Sequence, residues 1–234
     1  MQPSTATYTY NFDIESGKQV TFLIRLNDET LECLNEPASS LPDWTRLAYN
    51  QCQSCPLSTD DHDYCPVAVN LYEVFEQFRE VKSFERAEIT ITSPDRTYFK
   101  KSDVQQGLSS LLGILMATSG CPVMDKLRPM VRTHLPFAST RETLFRVVSM
   151  YIMSQYFRKR RGLPTQDDLN GLLSIYQEVE KVNTGMSARM REFYKTDANI
   201  NALVILTCLG QHAQLTLEDE MYEELETLFS AYFE

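Results

Sequence analysis

The sequence predicts an α+β protein: an N-terminal part of β-hairpins with an intervening helix, packed on a C-terminal all-helical assembly. Before residue 102, two pairs of stretches rich in β-branched and aromatic residues flank turn-forming residues. After it, apolar residues recur only at helical spacing. Four starts in this region share one device, a hydroxyl residue followed three positions later by an acidic or amide side chain: Ser102 with Gln105, Ser139 with Glu142, Thr165 with Asp168 and Thr216 with Asp219. The division falls at 1–101 and 102–234, and with no repeat or long linker the two parts are expected to share one core.

The first hairpin joins Tyr8–Ile14 to Gln19–Leu26 through Glu15-Ser16-Gly17-Lys18, and Thr30–Leu34 reads as a short third strand that carries Cys33. Asn35–Asp43 is a connection, and the sole tryptophan, Trp44, opens a helical turn leading into the cysteine stretch. From Pro66 to Phe84, Val67, Leu71, Val74, Phe75 and Phe78 mark an amphipathic helix. A second hairpin pairs Ala87–Thr92 with Thr97–Lys101. The helices that follow are expected at 103–118, 122–134, 139–161, 165–183, 197–212 and 216–233.

Composition narrows the function classes. A net charge of −10 argues against nucleic-acid binding, which needs a cationic face to displace counterions from phosphates. The one basic run, Arg158-Lys159-Arg160-Arg161, falls at a predicted helix C-terminus, where cations offset the macrodipole. The N-terminus has no basic residue followed by an apolar core, and the longest apolar runs fall well short of a membrane span, so a soluble cytoplasmic protein is expected. In a reducing compartment six cysteines point to thiols or metal ligands and not to disulfides.

Three of those cysteines lie in Cys52–Cys65. Cys52-x2-Cys55 offers two thiolates to one ion, and the loop returns with His62 and Cys65, a set that would complete a tetrahedral zinc site. A competing set replaces His62 with Cys121. Cys65-Pro66-Val67 and Cys121-Pro122-Val123 are the same tripeptide, and each opens a predicted helix, where unpaired N–H groups favour a thiolate. Four thiolates would hold zinc or an iron–sulfur cluster and tie the first half of the chain to the second. Cys208 reads as a core residue, and His212 has no ligand neighbours in sequence.

Lys126, Arg128, Arg132 and His134 form a local cationic cluster, read as a solvated helix face with a histidine at its end. Asp60, Asp61 and Asp63 beside His62 read as a solvated loop. No phosphate loop, nucleophile elbow, His-Glu-x-x-His or di-iron pattern is present, so catalysis has no support in the motifs. The acidic segment Glu218–Glu234, with Tyr222, Phe229, Tyr232 and Phe233 interleaved, reads either as a surface for a protein partner or, equally well, as an amphipathic terminal helix closing the chain's own core.

Cys52-x2-Cys55-Pro56-Leu57, Cys65-Pro66-Val67-Ala68, Gly107-Leu108-x-Ser110-Leu111-x-Gly113, Ser119-Gly120-Cys121-Pro122 and His134-Leu135-Pro136-Phe137-Ala138 together resemble an uncharacterised family of bacterial proteins over roughly residues 50–185. The resemblance implies bacterial origin and a cytoplasmic location, and carries over no catalytic residue. The expectation is a binding or regulatory module with a structural zinc ion. The alternative is a redox protein using the same cysteines for an iron–sulfur cluster or reactive thiols.

Overall fold

The computed structural model describes residues 4–193, 200–208, 210 and 226–233. Strands β1 (Thr5–Ile14) and β2 (Gln19–Asn27) form the first hairpin, and β3 (Arg86–Thr92) and β4 (Thr97–Asp103) the second. β1 also pairs antiparallel with β3, so the sheet runs β2-β1-β3-β4. The two-residue period of a strand sends Tyr8, Tyr10, Phe12 and Ile14 to one face, where all are buried. Register sets Phe12 beside Ile89 and Tyr10 beside Ile91, so the apolar faces of β1 and β3 form one surface. β2 and β4 are the edges, and the exposed Lys100 and Lys101 of β4 discourage pairing with another chain.

Helices α1 (Pro66–Gln77) and α2 (Val104–Ala117) join that apolar surface to the rest of the core. α2 is apolar on nearly every side, with Val104, Leu108, Leu111, Leu112 and Ile114 all buried, as befits a central helix. It reaches the middle of the sheet through Gly107, where an added Cβ would lie 2.7 Å from both Ile89 Cδ1 and Phe12 Cε1. A short α3 (Pro129–Arg132), long α4 (Thr140–Arg160) and α5 (Asn170–Phe193) follow, and residues 200–208 are helical. One hydrophobic cluster runs from Ala6 in β1 to Leu203, and a smaller one joins Leu144, Val147 and Tyr151 of α4 to Leu172 and Tyr176 of α5.

The α+β class and both hairpins are as the sequence predicts, while several elements differ for local reasons. Thr30–Leu34 forms no strand: only an isolated bridge joins Cys33 to Leu26, and Leu31 adopts a positive φ of 59°. The helix expected to reach Phe84 ends at Gln77, although Phe78 and Val81 beyond it stay buried. The helix expected at 122–134 is split into a 3-10 turn at Met124–Leu127 and α3, because Pro129 begins a new turn. Ser139 and Glu142 form the full capping box, but Thr165 and Asp168 do not start a helix. α5 begins later, where the Asp168 carboxylate accepts from the Asn170 N–H. Cys208 is exposed and not core. His212 and the Thr216–Asp219 start lie outside the described residues.

The close approach at Gly107 gives a direct expectation. Gly107→Ala should lower the unfolding free energy by about 1–3 kcal/mol, the usual cost of overpacking, in a urea titration. Unchanged stability would mean that α2 does not rest on Phe12 and Ile89.

Candidate functional site

The chain between β2 and α1 folds back on itself to build the site. Asp43–Thr45 makes a single 3-10 turn whose Trp44 is buried, its ring 5.9 Å from that of Phe75 in α1. Residues 45–47 then meet 63–65. The Leu47 N–H donates to the Asp63 carbonyl at 2.9 Å, and the Cys65 N–H donates to the Thr45 carbonyl at 2.8 Å. This closure brings the loop bearing Cys52 and Cys55 back to the start of α1. Within it the Cys55 N–H donates to the Cys52 carbonyl at 3.0 Å, a tight turn that holds the two residues together.

Each Cys-Pro-Val segment leads into a helical turn, but only Cys65 is itself an N-cap. Cys65 is the N-cap of α1, with Pro66 at the first helical position. Cys121 follows Gly120, whose φ of 84° suits glycine, and its carbonyl accepts from the Asp125 N–H at 2.9 Å to open a helical turn. Backbone N–H groups of Val123 and Met124 are directed at the Cys121 sulfur, the arrangement that favours a thiolate at a helix start.

Cys52, Cys55, Cys65 and Cys121 line one cavity of about 10 Å³, closed by Leu47, Val67, Val182 and Met186. That is room for about one water-sized atom. Cys65 and Cys121 are buried, Cys52 and Cys55 partly so, and all are free thiols. Burial pushes the Cys52 thiol up to about 11, reinforced by Cys65, Cys55 and Cys121 around it and opposed by Arg189. Burial also raises the Cys121 thiol. Among the described residues no group of three or more His, Cys, Asp or Glu side chains is set in metal-holding geometry. The four thiols are therefore neighbours around a shared cavity and not a finished coordination shell. His62 stands apart, exposed on the loop, its N–H donating to the Ser58 carbonyl. Asp60, Asp61 and Asp63 are exposed as well.

α5 covers this cluster. Gly185 approaches Cys52 so closely that an added Cβ would lie 2.8 Å from its Sγ. One turn further on, Arg189 is 0% exposed. Its Nη1 donates to the carbonyls of Trp44 at 2.7 Å and Arg46 at 2.6 Å, and its Nη2 to that of Leu47 at 3.1 Å, while its Nε has no partner. No carboxylate among the described residues forms a salt bridge with it. A guanidinium cannot shed its charge, so a buried cation lies close enough to Cys52 to pull that thiol down. Motif search overlooks Arg189, yet its spacing from Val182, Met186 and Met190 places it on the buried face of an amphipathic helix.

The cationic segment 126–134 proves to be a paired surface. Arg128 bonds to Asp125 and Glu32, and Arg132 to Asp28. His134 turns inward, where its Nε2 meets the Tyr10 hydroxyl at 2.5 Å.

Fold and site define an α+β protein in which four cysteines from three separate stretches meet beneath an arginine-bearing helix. Residues 6–230 match the family model DUF6901, a domain of unknown function, and the chain belongs to that family. No curated protein and no solved structure matches it. Among the described residues no helix is long and apolar enough to cross a membrane.

The contact between α5 and Cys52 can be tested by a double-mutant cycle. Gly185→Ala should destabilise by about 1–3 kcal/mol, and Cys52→Ala in the same chain should recover much of that loss by removing the sulfur it strikes. Strictly additive effects would show that the two residues do not touch.

Proposed function

We propose that Cys52, Cys55, Cys65 and Cys121 bind one zinc ion that cross-links the cysteine loop and α1 to the 121–132 segment, in a protein that serves as a binding or regulatory module. The observation that carries this reading is the convergence of four thiols on one atom-sized cavity beside a buried cation that has no carboxylate partner among the described residues. Zinc with four thiolates carries a net double negative charge, and Arg189 supplies a positive charge at that side of the site. The metal would draw the sulfurs together from their present separation, and its binding energy would add to that of folding. His62 has no part in this set.

The redox alternative divides in two. Reactive thiols fit poorly, because raised thiol pKa values at Cys52 and Cys121 leave little thiolate to attack an oxidant or disulfide. An iron–sulfur cluster remains a distinct outcome of metal analysis, since it too takes four thiolates.

The reading requires Cys121→Ser and Cys55→Ser to lower zinc content and melting temperature together, with His62→Ala close to the parent in both. Zinc loss on His62→Ala with Cys121→Ser unaffected would move the fourth ligand to the local loop.

Proton release gives an independent check. The Cys52 pKa of about 11 means its thiol is protonated at neutral pH and must lose that proton to bind metal. Apparent zinc affinity should therefore rise as pH increases from 6 to 8, by about tenfold per pH unit for each proton released. Calorimetry in buffers of different ionisation enthalpy measures that number. Zinc binding without proton release would exclude thiol ligands.

A further inference from the structure

α5 faces a second cavity. Val182 and Met186 close the cysteine cluster, whereas Tyr176, Val179 and Asn183 line a space of about 410 Å³, within the range of small-molecule sites. Much of its wall is apolar and adaptable. Met116, Met124 and Met130 contribute flexible thioethers, and Ile114, Leu127 and Leu206 fill the surface between them.

Two polar groups of the wall have buried atoms without a partner. Arg146 of α4 donates from Nη2 to the Met130 carbonyl at 2.8 Å, but its buried Nε has no acceptor. No carboxylate among the described residues pairs with it. Glu142, one turn earlier, is held by the N–H and hydroxyl of Ser139 at 2.7 and 2.8 Å. The Asn183 Oδ1 is buried without a donor, and the buried Tyr176 lines the same space. Arg146 influences the ionisation of both Tyr176 and His134, which places the three groups together. An arginine with a free Nε and no carboxylate partner among the described residues, facing a largely apolar space, is suited to a ligand that brings its own negative charge and an apolar body.

A Ser–His hydrolase is the competing use of the same groups, since Ser110 Oγ lies 3.5 Å from His134 Nε2. The geometry disfavours it. The Tyr10 hydroxyl already occupies Nε2 at 2.5 Å, and burial followed by the Arg146 cation pushes the imidazole down to about 3, far too weak a base at neutral pH. His134 is thus a neutral hydrogen-bonding wall of the cavity.

We propose that this cavity binds a carboxylate-bearing amphiphile, with its carboxylate on Arg146 and the Tyr176 hydroxyl and its apolar chain along the methionine wall. The site is separate from the cysteines, and the proposal does not rest on their binding metal.

The test is calorimetric titration of the full chain with decanoate and decyltrimethylammonium below their micelle concentrations and 1-decanol below its solubility limit. Decanoate should bind at least about tenfold more tightly than decanol, the effect of one charge-assisted contact, and the cationic amphiphile should not bind. Arg146→Met should lose that preference while still binding decanol, and Arg146→Lys should retain part of it. Equal affinity for decanoate and decanol, no decanoate binding, or an unchanged preference in Arg146→Met would each overturn the proposal. Should Arg146→Met fail to fold, the three-ligand series on the parent chain decides alone.

Discussion

A guanidinium sealed between α5 and the 44–47 turn is the constraint on which the cysteine-bearing half depends. Burying a charge costs several kcal/mol unless hydrogen bonds and opposite charge offset it, and Arg189 has three carbonyls but no carboxylate among the described residues. Those three bonds bind α5 to the strip of chain that leads into the Cys52–Cys65 loop. The strip is also paired with residues 63–65, so the position of α5 and the closure of the loop are fixed together. Gly185 then allows the helix to lie directly against Cys52. Holding a permanent cation beside four thiols makes chemical sense when those thiols carry negative charge, and a bound metal is what would deprotonate them at neutral pH.

The sheet and α2 provide the rigid support. Gly107 seats α2 on Phe12 and Ile89, and the end of α2 leads through Gly120 to Cys121. α1 begins at Cys65 and buries Leu71 and Phe75 in the same core. The two Cys-Pro-Val helix starts are therefore anchored by a common core, which explains how cysteines 56 residues apart in sequence reach one cavity. The outer helices α4 and α5 line the second cavity, and α4 presents to it Arg146, whose buried Nε has no partner.

What was legible in the sequence is what local chemistry decides. The Ser139–Glu142 capping box, the Gly17 turn and the two hairpins all rest on near neighbours, and each is found. Apolar spacing misleads where burial outlasts the helix, as at Phe78 and Val81 beyond α1. Pro129 was a visible break within 122–134, and the apolar residues on either side of it concealed its effect. The repeated Cys-Pro-Val tripeptide pointed to Cys121, yet only the fold could set it beside Cys52 and leave His62 in solvent. The two arginines were hidden because a cation in an apolar stripe looks like a surface residue until the packing on both sides of the helix is known.

The central claim is that the four cysteines hold zinc, and metal content is its most direct measure. Protein purified without oxygen, chelator or added metal should contain about one zinc per chain and show no visible absorption, as expected of a closed four-thiolate site. Iron with sulfide and a visible band that bleaches on reduction, or protein free of any metal, would contradict it.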